Sequence, residues 1–220
     1  MEQNFKPILF STPMVQAILE GRKTQTRRSV IKQPTQKEFL PELFNDELGV
    51  LYVGYKGLSK YLTGKVKSRY QQGDILWVRE TWHKVHDSST RQFLNYGYKA
   101  NWSYGIYSHP KNKGIWNASI HMPKDAARIF LEVTNVRCER LNDISENDAI
   151  AEGIETFYNE EWDKISYKDY LKTDNTRTSS PIHSFASLWR SINGKDSWEL
   201  NPFVWVYEFK LIDKPNDWPL

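Results

Sequence analysis

The chain has 220 residues, a length typical of one large domain or of one domain with long insertions. Hydrophobic residues make up 39% and charged residues 26% of it, which is ordinary globular usage and excludes wholesale disorder. The net charge of +3 permits a polyanionic partner without requiring one, and the single cysteine, Cys138, excludes a disulfide framework and fits a reducing compartment such as the cytoplasm.

The first thirty residues predict a short helix followed by a basic segment. The opening MEQNFKPILF has no cationic region before a long apolar run, and no stretch reaches the roughly 18 apolar residues of a membrane span, so we expect neither a signal peptide nor a membrane helix. Residues 11–21 predict a helix with Thr12 as N-cap and Gly21 as its left-handed end. The segment GRKTQTRR, residues 21–28, then predicts a turn leading into a strand.

Two strong strand signals follow, separated by less regular sequence. GDILWVRETW, residues 73–82, carries apolar residues on both faces, and RIFLEVTNVRCERL, residues 128–141, alternates over a long stretch. Insertions are predicted at about 29–72, with a short hairpin, at about 83–118, with loops and short strands, and at about 155–180. We expect the last to be a mobile polar excursion.

The C-terminal part predicts two helices and a closing strand. Ser145 and Asp148 form a capping-box pattern for a helix that ends at Gly153. Ser180-Pro181 begins a second helix with a buried stripe of Ile182, Phe185, Trp189 and Ile192. NPFVWVYEFKLI, residues 201–212, is the final strand, with one face formed by Phe203, Trp205, Tyr207, Phe209 and Leu211. Distant strands with short helices and no regular β-α-β rhythm predict an α+β fold on a curled mixed sheet or small barrel.

The basic segment GRKTQTRR permits three interpretations: a grip on nucleic-acid phosphates, a solvated basic strand, or a lysine that activates a threonine. A threonine hydroxyl needs a base, and a lysine can act as one when burial or neighbouring cations lower its pKa. Lys23 and Thr26 are three residues apart and would lie on opposite faces of a regular strand. A shared site therefore requires Lys23 to lie in the turn before the strand; otherwise Thr24 is the partner.

Other catalytic motifs are missing from the sequence. The closest histidine pair, His83 and His86, has no carboxylate at the spacing of zinc proteases. There is no Gly-rich phosphate loop and no Gly-x-Ser-x-Gly elbow. We therefore expect no metal and no cofactor.

The ordered set of motifs resembles the ASCH domain family of the PUA-like superfold. The resemblance runs over nearly the whole chain and is closest to phage and prophage ASCH-like proteins, through KPILFSTPMVQAILEGRKTQTRR, GDILWVRETW, SIHMP, DISENDAIAEGI and FASLWRSINGKDSWELNPFVWVYEF. It implies a single domain over residues 1–220, built as a small curled mixed β-barrel with flanking short helices and the three insertions.

The resemblance also implies an activity. Some small bacterial ASCH proteins are amidohydrolases that remove the acetyl group of N4-acetylcytidine with a lysine, a threonine and a glutamate. Carried over to this chain, these residues are Lys23 as base, Thr26 as nucleophile and Glu152, which orients the lysine or handles the proton of the leaving amine. Glu152 as a plain surface carboxylate, and Lys23 with Thr26 as phosphate contacts, remain open alternatives.

Further residues are candidates for contacts with a modified nucleoside or RNA. The candidate substrate-binding residues have side chains that could stack on a base, accept hydrogen bonds from an exocyclic amine or lie near the reacting group. They are Arg22, Thr24, Trp77, Arg79, Glu80 and His121. The rival function is a non-catalytic RNA-binding module in which Arg22, Arg27 and Arg28 contact phosphates. An ASCH-type ribonuclease is the third possibility.

Overall fold

The computed structural model describes residues 4–31, 33, 44–45, 50–54, 62–101 and 116–219. In these residues the fold is α+β, with more strand than helix, as the sequence predicts. None of the described sheets closes on itself, so the small barrel and the single-domain organisation stay predictions. None of the helices in the described part of the chain is long and apolar enough to cross a membrane.

The regular elements have the following bounds. The helices are α1 (Thr12–Leu19), α2 (Glu146–Ala151) and α3 (Pro181–Asn193). The strands are β1 (Phe5–Leu9), β2 (Gln25–Ser29), β3 (Phe44–Asn45), β4 (Val50–Gly54), β5 (Leu62–Lys67), β6 (Ile75–Arg79), β7 (Trp82–His86), β8 (Phe93–Tyr98), β9 (Phe130–Arg140), β10 (Thr156–Asn159), β11 (Lys164–Lys168), β12 (Arg177–Thr178) and β13 (Phe203–Ile212). Short 3₁₀ turns lie at Lys99–Asn101, Ser119–His121, Lys124–Ala126 and Leu141–Asp143.

The chain divides into two compact units, each described by itself. Unit 1 is drawn from residues 1–20, 74–132 and 210–220, and unit 2 from residues 21–73 and 133–209. Within unit 1, β1, β6 and the start of β9 lie side by side in that order, and within unit 2, β2 lies beside β13.

Unit 1 is organised around an aromatic core. β1 pairs parallel with β6, with Phe5 opposite Ile75, and β6 pairs antiparallel with the start of β9, with Trp77 opposite Phe130. β6 is buried on both faces, as the apolar run GDILWVRETW predicts. Its core joins aromatic and aliphatic side chains from several elements: Ile75, Trp77, Trp82, Met122, Ala126, Ala127, Phe130 and Trp218.

Unit 2 contains the basic segment. β2 pairs antiparallel with the middle of β13, with Thr26 opposite Tyr207 and Arg27 opposite Val206. Because opposed residues share a face and successive residues alternate, Arg27 lies on the face of Val204 and Val206, and Thr26 on the face of Tyr207. The Val206 face packs on a core that includes residues of α2 and α3: Leu141, Ile144, Ala149, Ile154, Tyr167, Phe185 and Trp189.

All three predicted insertions carry regular strands. Within residues 155–180 the structure has the sheet β10-β11-β12 in place of the predicted excursion, and Tyr167 of β11 joins the core of unit 2. Within residues 29–72 it has the sheet β3-β4-β5, which extends the predicted hairpin by one strand. In 83–118, β7 and β8 form a hairpin, and residues 102–115 lie outside the described part.

Several element ends differ in detail from the sequence predictions. Ser11, not Thr12, is the N-cap of α1, and it makes no side-chain cap bond. Gly21 and Gly153 have φ of 74° and 85°, so the predicted left-handed helix ends are correct. Ile192 was predicted to be buried but is 55% exposed, because it lies at the end of α3, beyond the core.

Candidate functional site

Backbone pairing brings the turn before β2 against the end of α2. Lys23 forms an isolated antiparallel bridge with Glu152, and the Thr24 N–H donates to the carbonyl of Ala151 at 2.9 Å. Glu152 is the C-cap of α2, immediately before the left-handed Gly153. The two residues that the resemblance pairs therefore meet, although 129 positions separate them in the chain.

The side chains of Lys23 and Glu152 form a buried ion pair. Lys23 Nζ donates to Glu152 Oε2 at 2.9 Å and to the main-chain oxygen of Glu152 at 2.8 Å. The two side chains are 1% and 5% exposed, so Glu152 is not a surface carboxylate. Burial lowers the pKa of Lys23; Glu152 acts against this, and Arg28 and Arg27 add to it.

Arg27 binds the other oxygen of the same carboxylate. Its Nη1 donates to Glu152 Oε1 at 3.0 Å, while its Nη2 and Nε donate to Glu139 Oε1 at 2.6 and 3.1 Å. The guanidinium lies 5.8 Å from the ring centroid of Phe185 in α3. Because the Arg27 side chain is 0% exposed, it does not present its charge to solvent.

A second arginine extends this cluster toward the surface. Arg137 of β9 donates to Glu139 Oε2 and Asp148 Oδ1, each at 3.0 Å, and also to Glu208. Arg27 Nη2 lies 3.4 Å from Asp148 Oδ2. We call Lys23, Arg27, Arg137, Glu139, Asp148, Glu152 and Glu208 the ionic cluster; it connects β2, β9, α2 and β13.

Thr26 lies on the opposite face of β2 from Arg27. It is buried, and its cross-strand neighbour Tyr207 shares a 2.9 Å hydrogen bond with the hydroxyl of Ser68 and packs edge-on against Tyr70. Burial raises the pKa of Tyr207 to about 12, so this phenol stays protonated at neutral pH. Lys23 precedes the first residue of β2, Gln25, as a site shared by Lys23 and Thr26 requires, but its amine binds Glu152, the carboxylate that Arg27 reaches from the other face of the strand.

The remaining candidates on the basic segment differ in exposure. Arg22 is partly buried and donates from Nη1 to the carbonyl of Gly153 at 2.9 Å. Thr24 is exposed, and its carbonyl accepts from the Phe209 N–H at 2.8 Å. Arg28 is partly buried, and burial lowers its pKa. Of the whole segment, Thr24 is therefore the candidate most open to solvent.

The other predicted substrate-binding residues belong to unit 1 and are described within it. Trp77 is buried in the aromatic core, and the Arg79 guanidinium lies 5.5 Å from its ring centroid. Both oxygens of the buried Glu80 accept from Arg128, at 2.8 and 3.0 Å. His121 is exposed in the turn Ser119–His121. The Arg79 guanidinium therefore lies near the Trp77 ring on which a base was expected to stack, and the Glu80 carboxylate is already bound to Arg128.

Among the described residues, no group of three or more His, Cys, Asp or Glu side chains is arranged to hold a metal ion. Comparisons with known protein families, with curated proteins and with solved structures find no match for the chain. The chemistry of the ionic cluster and of Thr26 therefore carries the functional proposal.

Sequence reasoning missed the carboxylate partners of Arg27. It assigned Arg27 to phosphates, whereas the structure pairs it with Glu139 and Glu152, which lie 112 and 125 positions away. One signal was present: Arg137 and Glu139 lie two residues apart in a predicted strand and so share one of its faces, and charged residues that become buried there require partners.

Proposed function

We propose that the chain is an ASCH-type protein with a small PUA-like barrel that recognises a nucleoside and hydrolyses an acylated exocyclic amine, as in N4-acylated cytidine. The observation that carries the proposal is the buried contact of 2.9 Å between Lys23 Nζ and Glu152 Oε2. A lysine whose pKa is lowered by burial has a larger neutral fraction at physiological pH and can accept a proton.

In the proposed reaction, neutral Lys23 takes the proton of the Thr26 hydroxyl as Thr26 Oγ attacks the acyl carbon. The bond from this carbon to the exocyclic nitrogen then breaks, and Lys23 returns the proton to the leaving amine. Water hydrolyses the acyl-threonine ester, which releases the carboxylic acid and restores the hydroxyl. Glu152 holds Lys23 in place throughout.

Burial sets a condition on this reaction. Lys23 and Thr26 are both almost completely buried, so the proposed site requires an opened state that admits the substrate. Exposed Thr24 and partly buried Arg22 are the first groups of the segment that an entering nucleoside would meet. We assign them to substrate contact.

The non-catalytic RNA-binding function has weaker support. A phosphate grip requires cations at the surface, where they release counterions on binding. In the basic segment, Lys23 and Arg27 are instead buried and bound to carboxylates.

The test is hydrolysis of N4-acetylcytidine by the purified protein, followed by chromatography of cytidine and acetate. Thr26→Val replaces the hydroxyl by a methyl group of similar size and is expected to lower kcat by about 10³-fold or more, since it removes the nucleophile. Lys23→Met and Glu152→Gln test the base and its partner. Thr134→Val makes the same change at an exposed position of β9 and is the matched control, expected to retain wild-type turnover.

Two results would contradict the proposal. One is a wild-type protein that releases no cytidine. The other is a folded Thr26→Val variant with unchanged kcat, because a variant without the Thr26 hydroxyl cannot form the proposed acyl-threonine ester.

A further inference from the structure

We propose that Arg27 is a positioning residue: by binding the second oxygen of Glu152, it fixes that carboxylate and keeps the Lys23 amine readily deprotonated. The inference rests on the proposed function only in taking Lys23 as the base. The effect of Arg27 on the charge state of Lys23 can be measured whether or not the protein has enzymatic activity.

The geometry shows one carboxylate shared by two buried cations. Oε2 of Glu152 accepts from Lys23 Nζ at 2.9 Å, and Oε1 accepts from Arg27 Nη1 at 3.0 Å. The carboxylate of Glu152 is therefore shared by two cations, one of which, Arg27, also binds Glu139. Because an opposite charge stabilises the ammonium form of a lysine, sharing Glu152 with Arg27 reduces that stabilisation.

Glu139 fixes the Arg27 guanidinium from the other side. Arg27 donates to Glu139 Oε1 through both Nη2, at 2.6 Å, and Nε, at 3.1 Å. Two hydrogen bonds to one oxygen, together with complete burial, leave the guanidinium little rotational freedom. Arg27 thus holds Glu152 in one orientation, with Oε2 directed at Lys23.

Several charged groups of the described residues that face Lys23 or its partners enter this balance. Glu152 of α2 favours the ammonium form of Lys23, and Arg27 and Arg28 of β2 oppose it. Asp148 and Glu139 partly neutralise Arg27, and Arg137 in turn binds Glu139, Asp148 and Glu208. Arg28 faces Arg69, Tyr70 and Tyr207 in addition to Glu152. The proposal accordingly predicts the sign of the change at Lys23 for each substitution in the cluster.

The experiment measures the pKa of Lys23 directly. Protein with ¹³C-labelled lysine is titrated by NMR, and the Lys23 side-chain signals are assigned as those that disappear in Lys23→Arg. In Arg27→Gln we expect the pKa of Lys23 to rise by about one unit or more, because Glu152 then faces one cation. In Glu139→Gln we expect it to fall, because Arg27 is then less neutralised.

The matched control is Arg137→Gln. Arg137 binds Glu139 and Asp148, two of the carboxylates that Arg27 approaches, and Glu208, but the contact with Glu152 belongs to Arg27. We expect the shift at Lys23 to be less than half of that in Arg27→Gln. A general loosening of the cluster would admit water and raise the pKa of Lys23 in all three variants.

The opposite signs make the test decisive. An unchanged pKa of Lys23 in Arg27→Gln, or a raised one in Glu139→Gln, overturns the proposal. If Arg27→Gln does not fold, Glu139→Gln still tests the sign, since Glu139 is 19% exposed and tolerates substitution better than a buried residue.

Turnover adds a second readout. If the wild type hydrolyses N4-acetylcytidine, the acid limb of its kcat/KM against pH profile moves to higher pH in Arg27→Gln by the shift that NMR records. If the wild type is inactive, the proposed function fails alone, and the NMR titration still decides the role of Arg27.

Discussion

Glu152 bridges two buried cations, Lys23 and Arg27, so we expect its loss to destabilise the fold more than the loss of Lys23. Glu152→Gln leaves Lys23 and Arg27 without their shared carboxylate and is expected to cost about 3–5 kcal/mol. Lys23→Met removes a buried charge while Glu152 keeps Arg27, and is expected to cost less than about half as much. Urea unfolding followed by tryptophan fluorescence measures both, and equal losses would contradict the sharing of Glu152.

Asp148 links the ionic cluster to acid stability. Burial acts to raise its pKa, but Arg137, the Ser145 hydrogen bond and Arg27 together lower it below the ordinary value of 3.8. A lowered carboxyl pKa stabilises the fold above the unfolded-state value, and this contribution disappears as pH falls through the folded-state value. We therefore expect that, as the pH is lowered below about 4, the urea concentration at the unfolding midpoint decreases more steeply for the wild type than for Asp148→Asn. Parallel curves would show that Asp148 carries no such linkage.

At the scale of elements, helix α2 places Glu152 at its C-terminal end, and its N-terminal turn is stabilised by a side-chain cap. The Ser145 hydroxyl accepts from the Asp148 N–H at 3.1 Å, whereas Ser11 of α1 makes no such bond. Ser145→Ala is expected to cost about 1 kcal/mol, and Ser11→Ala well below that, since only the first leaves a helical N–H without its acceptor. Urea midpoints of the two variants provide the comparison. An equal loss in both would mean that the Ser145 hydroxyl does not stabilise α2.

The elements that the sequence predicted are those fixed by local signals. A glycine follows both α1 and α2, because the left-handed backbone at these helix ends suits a residue without a side chain. Strand β6 could be predicted because its continuous apolar run is visible in the local sequence, without knowledge of the strands that pair with it. The strands within residues 155–180 were missed because an acidic turn interrupts a short alternation, and only Tyr167 reaches the core. Their pairing is a contact between strands that local sequence does not encode.

The candidate site was predictable in residue type but not in environment. Lys23 and Glu152 were named from the ordered motifs, and the structure brings them to 2.9 Å. Neither the burial of Lys23 nor the pairing of Arg27 with Glu139 follows from the segment GRKTQTRR, since both depend on residues more than 100 positions away. Two cations of this run, Lys23 and Arg27, thus belong to a cluster in which each is bound to one or more carboxylates.

At the scale of the whole molecule, this internal pairing decides how the protein responds to salt. When a protein binds single-stranded RNA through its phosphates, the slope of log K against log salt is negative and becomes shallower by about 0.7 for each phosphate contact that is removed. Arg27 is buried and bound to carboxylates, so we expect the slope for RNA binding to be the same in folded Arg27→Gln as in the wild type. N4-acetylcytidine is uncharged, so kcat/KM is expected to change little between about 50 mM and about 500 mM salt. A salt slope shallower in Arg27→Gln than in the wild type would instead place Arg27 on a phosphate and favour the RNA-binding function.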